Sequence, residues 1–242
     1  MPDTTNWHDK LFSNGCSFLG SRPVANINTF TTKILAQEYN LQLFNIARGG
    51  RGNDRISFTT KAWFEQNYIN NGKNMNKDVV AVIGWSNQFR NDYITTSGRP
   101  KDGKLPWRTF KIEDIEKFNL AKYQKDKFSY EYGHWDIENT GIMKLLDHIF
   151  DLQNYFKLKK IPYIFYNALP NYLLSDIPDF KTVYNAIDLK RFYKPETSHY
   201  EFCIKKKLFI SKEDTHPNAE GHRQWALLLK KYIDDNNLFH EI

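Results

Sequence analysis

The sequence predicts an α/β fold: a three-layer α/β/α sandwich around a central, mostly parallel sheet of about five strands. Three observations predict it. Short apolar runs alternate with longer segments of helical periodicity, the β-loop-α order that winds a parallel sheet with helices on both faces. One run, Val79 to Ile83, is continuously apolar, as a strand covered on both faces must be. Ser17, Gly50, Asn87 and His216 each follow a predicted strand, and such folds carry their functional residues at the carboxyl ends of strands.

The elements follow in chain order. Lys10 to Ser13 reads as a short strand feeding a Gly15-Cys16-Ser17 turn. Asn28 to Tyr39 reads as a helix, with Ile34, Leu35 and Tyr39 at helical spacing. Leu41 to Ala47 alternates apolar and polar residues and reads as a strand. Arg48 to Gly52 is a glycine-rich loop, and Asn53 is placed to cap a helix running towards Tyr68. Asp78 to Gly84 is the strand buried on both faces. From about Asn91 to Asn139 the chain turns polar and aromatic with weak periodicity, which reads as an insertion forming a lid or substrate wall. Thr140 to Leu158 is a long helix with Ile142, Leu145, Leu146, Ile149, Leu152 and Phe156 on one face. Ile161 to Asn167 is a strand, and Leu169 to Lys207 reads as irregular with short helices. Leu208 to Ile210 reads as a short strand and Asn218 to Asp235 as the closing helix, so that residues 1–242 make one domain.

A chain of 242 residues, 40% hydrophobic and 16% aromatic, can fill one substantial core. No apolar run approaches the ~20 residues of a membrane span. Met1 to Lys10 lacks the apolar stretch of a secretory signal. Cys16 and Cys203 make no disulfide framework. The expectation is a cytoplasmic protein with no membrane partner. The net charge of +6 and pI of 9.1 raise nucleic acid as a partner. The lysines are scattered, however, with small clusters at Lys157, Lys159, Lys160 and at Lys205 to Lys207, so a solvated surface is favoured over a nucleic-acid site.

Two short motifs near the ends of the chain carry the chemistry. The first is Ser13-Asn14-Gly15-Cys16-Ser17-Phe18-Leu19, and the second runs from Asp214 through His216 to His222. A serine hydroxyl becomes a useful nucleophile when a base takes its proton, and the base works best when an acid orients it. Between these motifs stand Asn45-Ile46-Ala47-Arg48-Gly49-Gly50 and Gly84-Trp85-Ser86-Asn87. In this order the four blocks resemble those of the SGNH, or GDSL-type, hydrolases, in a Gly-Cys-Ser and Asp-x-His-Pro variant similar to a phage and bacterial branch. The resemblance implies an SGNH-hydrolase, flavodoxin-like fold. It also implies Ser17 as nucleophile, His216 as base and Asp214 as orienting acid, with the Ser17 and Gly50 N–H groups and the Asn87 amide around the oxyanion. The departures from the family pattern leave alternatives open. Glu213 stands three residues before His216, where the family's acid usually stands; Ser86 stands where its asparagine usually stands; and Cys16, in place of an acid, could itself attack.

The implied activity is a serine esterase or deacylase acting on a small acyl ester, with no cofactor and no metal. The aromatic insertion points to an acetylated carbohydrate or glycan. Trp85, Trp107 and Trp135 are candidates for a substrate wall, with core packing as the bland alternative. An acyltransferase would use the same residues, and a non-catalytic nucleic-acid-associated protein could retain the fold. Gly49-Gly50-Arg51-Gly52 lacks both the lysine and the spacing of a phosphate loop. His134 and His199 are too isolated to hold a metal, and His222 reads as a packing histidine.

Overall fold

Strands whose side chains are apolar on both faces can be stable only between two helical layers, and that requirement sets this architecture. The computed structural model describes residues 8–20, 28–69, 78–94, 107–111, 137–173 and 176–239. Five strands, β1 (Lys10–Gly15), β2 (Gln42–Asn45), β3 (Val79–Trp85), β6 (Tyr163–Asn167) and β7 (Phe192–Ser198), form one sheet in the order β2-β1-β3-β6-β7. Every pairing is parallel. Phe12 stands opposite Phe44 on one side and Ala81 on the other, and Val82 stands opposite Ile164.

Strand alternation sorts the core. From β3, Val79, Ala81, Ile83 and Trp85 face one layer, with Phe12 and Phe165 beside them. That layer is built from α2 (Asn53–Phe64), α3 (Ile137–Lys159) and α4 (Pro178–Asn185). It contributes Ile56, Phe64, Ile149 and Phe156, all fully buried. Val80 and Val82 face the other way with Leu11, Ile164 and Tyr166. They are covered by α1 (Thr31–Glu38), α5 (His199–Lys206) and α6 (Ala219–Asp235), through Leu35, Phe202, Trp225 and Leu229. Burying side chains of this size contributes roughly 1.5–3 kcal/mol each. The sheet is therefore packed from both sides.

The chain steps outward from β1 to β2 and then returns past β1 to β3, so the winding reverses between β1 and β3. At such a switch point the loops diverge and leave a crevice at the carboxyl ends of the strands. The serine turn follows β1, and the third block ends β3.

Leu169 to Lys207, expected to be irregular with short helices, contains the short helices α4 and α5 and, beyond expectation, the edge strand β7. β7 lacks a strand signature because Pro195 interrupts it and Lys194 sits at φ 40°. A sheet tolerates proline on an edge strand, and β7 has a neighbour on one side only. Leu208 to Ile210 is not a ladder strand; one bridge joins Phe209 to Pro217. Within the expected 91–139 insertion, β4 (Arg90–Ile94) and β5 (Trp107–Lys111) pair as a two-stranded antiparallel sheet. Residues 137–139 already belong to α3, and the rest of the insertion lies outside the described residues. Among the described residues, no helix is long and apolar enough to cross a membrane.

Candidate active site

The position of Ser17 is set by two glycines. Gly15 at the end of β1 is in register with Gly84 of β3. A Cβ on Gly15 would lie 2.7 Å from a Leu19 methyl, and one on Gly84 would lie 2.4 Å from the same methyl. Leu19, fully buried, fills the space these glycines leave open. It anchors a single 3-10 turn, Ser17–Leu19, which folds straight back over the strand ends. The Asn45 amide clamps this turn by donating to the Leu19 carbonyl at 2.6 Å. Ser17 therefore stands on a rigid elbow at the switch point.

The histidine arrives on a self-braced loop. Asn218 caps α6, accepting from the Gly221 N–H at 2.8 Å, and its own N–H donates to the Leu208 carbonyl at 3.0 Å. The Ile210 N–H donates to the His216 carbonyl at 2.9 Å, and the Ser211 N–H to the Asp214 carbonyl at 3.0 Å. These bonds put His216 Nε2 2.8 Å from Ser17 Oγ and His216 Nδ1 2.6 Å from Asp214 Oδ1. An ionised carboxylate only accepts, so Nδ1 carries the proton and Nε2 is left to accept from the serine. Phe18 packs against the imidazole with ring centres 5.0 Å apart and fixes its plane.

The sequence alternatives separate by placement. Glu213 is exposed, and its backbone N–H bonds to Ser211 Oγ at 3.2 Å, while Asp214 meets the histidine. Cys16 is fully buried, and burial pushes its thiol up, away from the thiolate that would attack. Ser86 is fully buried as well, hydrogen-bonded to the Cys16 thiol and accepting from Arg90 Nη1 at 3.3 Å. Neither side chain reaches solvent, so neither Cys16, the alternative nucleophile, nor Ser86, at the family asparagine's usual place, is open to a substrate.

Gly50 has φ +76°, a backbone that favours glycine, and a Cβ there would meet nothing within 4 Å. The glycine is required by conformation and not by crowding. Gly49 is the member of the pair that approaches Ser17; a Cβ on it would lie 3.8 Å from Ser17 Cβ. The Ser17 N–H is the first of its short helix, a position without an intrahelical partner. Asn87 is largely committed elsewhere. It donates to the Pro170 carbonyl at 2.8 Å and accepts from the Phe89 N–H at 2.9 Å, leaving one amide hydrogen.

The third block is braced by two asparagines: Asn171, which sequence reasoning did not single out, and Asn53, which was expected to cap α2 but is its first residue, the cap being Gly52. Asn53, buried at the start of α2, accepts from the Ser86 N–H at 2.8 Å and donates to the Ser86 carbonyl at 3.1 Å. Asn171 donates to the same carbonyl at 2.9 Å and accepts from the Gln88 N–H at 2.8 Å. The one available signal was that Asn53 opens a helix beside the glycine loop.

The tryptophans correct the expectation of a common wall. Trp85 is fully buried in the core against Phe165. Trp107 lines a separate cavity of about 520 Å³ with Phe58, Asp54 and His148, and neither Ser17 nor His216 borders it. Trp135 lies outside the described residues. The expected packing role of His222 holds: it is buried, and its Nδ1 meets Thr31 Oγ1 at 3.1 Å.

Fold and site together define a doubly wound α/β protein with a serine, a histidine and an aspartate aligned at the sheet's switch point. Residues 22–240 match the model of a family of unknown function, DUF6071, and the chain belongs to that family. No curated protein matches it. Among solved structures it is similar to the psychrotrophic esterase EstA from Pseudoalteromonas sp., at 10% identity and TM-score 0.48 over 94% of this chain and 98% of that one. It is also similar to the acetylxylan esterase Axe2 from Geobacillus stearothermophilus, at 15% identity and TM-score 0.45 over 95% and 96% of the two chains. The lipase Lip_vut3 from a goat rumen metagenome has 12% identity and TM-score 0.48 over 92% and 96%. Likeness at this level leaves the site's own geometry as the ground for a functional reading.

Proposed function

We propose that this protein is a serine esterase or deacylase of the SGNH type, with Ser17 as nucleophile, His216 as base and Asp214 as orienting acid. The observation that carries the reading is the unbroken line from Ser17 Oγ to His216 Nε2 at 2.8 Å and from His216 Nδ1 to Asp214 at 2.6 Å. A histidine placed only for packing has no reason to bridge an exposed-loop carboxylate and a hydroxyl on a turn 199 positions away.

In this reading Ser17 Oγ attacks the ester carbonyl carbon as its proton passes to His216 Nε2. The carbonyl oxygen takes up the electron pair and is held by the N–H groups of Ser17 and Gly50, with the remaining Asn87 amide hydrogen as a third donor. Each such donor is worth roughly 3 kcal/mol in the transition state. Collapse of the intermediate breaks the ester C–O bond, and His216 hands its proton to the leaving alcohol. Water then adds to the acyl-serine, giving its proton to His216, and the acid is released as Ser17 recovers its hydrogen. Asp214 stabilises the imidazolium at both stages. The substrate is a small acyl ester, and an acetylated carbohydrate fits the reading.

Ser17→Ala tests this directly. It should abolish hydrolysis of p-nitrophenyl acetate, to within the background left by binding alone, while circular dichroism and melting stay as in the parent. Full activity in a folded Ser17→Ala protein would remove the proposal.

A further inference from the structure

Four arginines lie in or against the Arg48–Gly52 loop, whose Gly49 approaches Ser17. Arg48 is exposed and precedes the glycine pair; its backbone N–H donates to the Gly15 carbonyl at 3.2 Å. Arg51, 6% exposed, lies beneath that loop. Its Nη1 donates to Asn14 Oδ1 at 2.8 Å and to Thr59 Oγ1 at 3.2 Å, both neutral, while its buried Nε has no hydrogen-bond partner. Arg55, in the first turn of α2, sits 5.9 Å from the Trp107 ring centre with its Nε likewise buried and unbonded. Arg90 bonds Ser86, the hydroxyl that touches Cys16 next to the nucleophile. Among the described residues none of the four forms an ion pair.

One carboxylate, Asp92, lies within electrostatic reach of Arg51 and Arg55. Its oxygens are already used by the Gly52 and Arg55 backbone N–H groups at 2.8 and 3.2 Å and by the Thr109 hydroxyl. The guanidinia also feel one another. Burial first, then Arg55 and Arg48, bring Arg51 down to about 10. A buried guanidinium held by neutral partners, with further arginines around it, is costly unless something of opposite charge completes the set. Guanidinium rather than ammonium is the suited group where a planar or tetrahedral oxyanion is gripped by several N–H donors.

We infer that the ligand of the Ser17 site carries an anionic group, a carboxylate or a phosphate, received by Arg48, Arg55 and Arg90 over the buried charge of Arg51. The inference rests on the esterase reading only in making that ligand an ester; the anion site stands on the arginines themselves.

The experiment separates the two. Binding of inorganic phosphate and of succinate is measured by calorimetry on the Ser17→Ala protein, alone and with Arg48→Gln or Arg55→Gln added. At least one anion should bind, and each arginine change should weaken it about ten-fold. In the parent enzyme, mono-p-nitrophenyl succinate should be preferred over p-nitrophenyl butyrate in kcat/KM, and the same changes should cut that preference about ten-fold. No binding of either anion at about 10 mM overturns the inference. So does binding that ignores the arginine changes, or an equal loss on both esters. Arginine-dependent anion binding in a parent protein that cleaves neither ester upholds the anion site and removes the esterase reading instead.

Discussion

A single carboxylate oxygen of Asp214 accepts from His216 twice, at 2.6 Å from ring Nδ1 and at 3.2 Å from the backbone N–H. The ring and the chain that carries it are thus held by one atom. The acid fixes the tautomer and also the loop's approach to Ser17. Glutamate at 213 could not do both, because its side chain starts one residue earlier and points to solvent.

Asp214→Asn should therefore lower kcat on p-nitrophenyl acetate by roughly 10⁴-fold, the size seen when a triad acid is neutralised. Glu213→Gln should stay near parental activity, since surface changes away from special contacts are worth about 0.5 kcal/mol or less. Steady-state kinetics on both variants decides between them. A silent Asp214→Asn, or a large loss in Glu213→Gln, would reverse the assignment.

Behind the Ser17–His216–Asp214 line lies a buried pair of histidines whose titration should govern acid stability. His199 is stacked on Trp225 at 5.0 Å, with its ring edge against His222 at 5.3 Å. Burial, then the neighbouring His222, holds His199 well below its usual range, and burial, then His216, brings His222 down to about 4. Both are neutral in the folded protein and protonate more readily once unfolded. The unfolded state therefore binds more protons below its histidine pKa of about 6.5, and stability falls as the pH drops from there towards 4. His222 alone should remove about 2 kcal/mol between pH 7.5 and 5. Urea unfolding across that interval measures the slope, and His222→Gln, which keeps an acceptor for Thr31, should flatten it. An unchanged slope in that variant would place the acid sensitivity elsewhere.

The sheet was legible in the sequence because its central strands are apolar on both faces and cannot be mistaken for helix caps or loops. β3, with Val79 to Ile83, is the clearest case. β7 was not legible: an edge strand needs only one partner, so Lys194 and Pro195 persist there without a penalty that would mark the pattern. In the site, Ser17, Asp214 and His216 could be read because each lies in a short motif whose spacing does the positioning. Trp85 misled because an aromatic beside a candidate oxyanion residue looks like a wall, whereas strand alternation turns it into the core. The arginine cluster was invisible for a different reason. Arg48, Arg51 and Arg55 are neighbours in sequence, but Arg90 joins them only when β3 is laid beside β1.

The pairing of Gly15 with Gly84 makes a last prediction, because the space above them belongs to Leu19. In Gly84→Ala the new Cβ would fall 2.4 Å from the Leu19 methyl and 3.0 Å from the Tyr166 ring. The leucine must then move, and it is anchored two residues from the nucleophile. Overpacking of this kind costs roughly 1–3 kcal/mol. The rate should suffer beyond that cost, since a shift of about 1 Å in a reacting group can lower kcat by about 100-fold. Leu19→Val removes the methyl that clashes. Combined with Gly84→Ala, it should restore part of both the stability and the rate, as expected of contacting residues whose effects are not additive. Denaturation and p-nitrophenyl acetate kinetics on the two single variants and the double variant measure the coupling. Additive effects, or a Gly84→Ala protein with parental kcat, would show that the glycine pair does not set the position of Ser17.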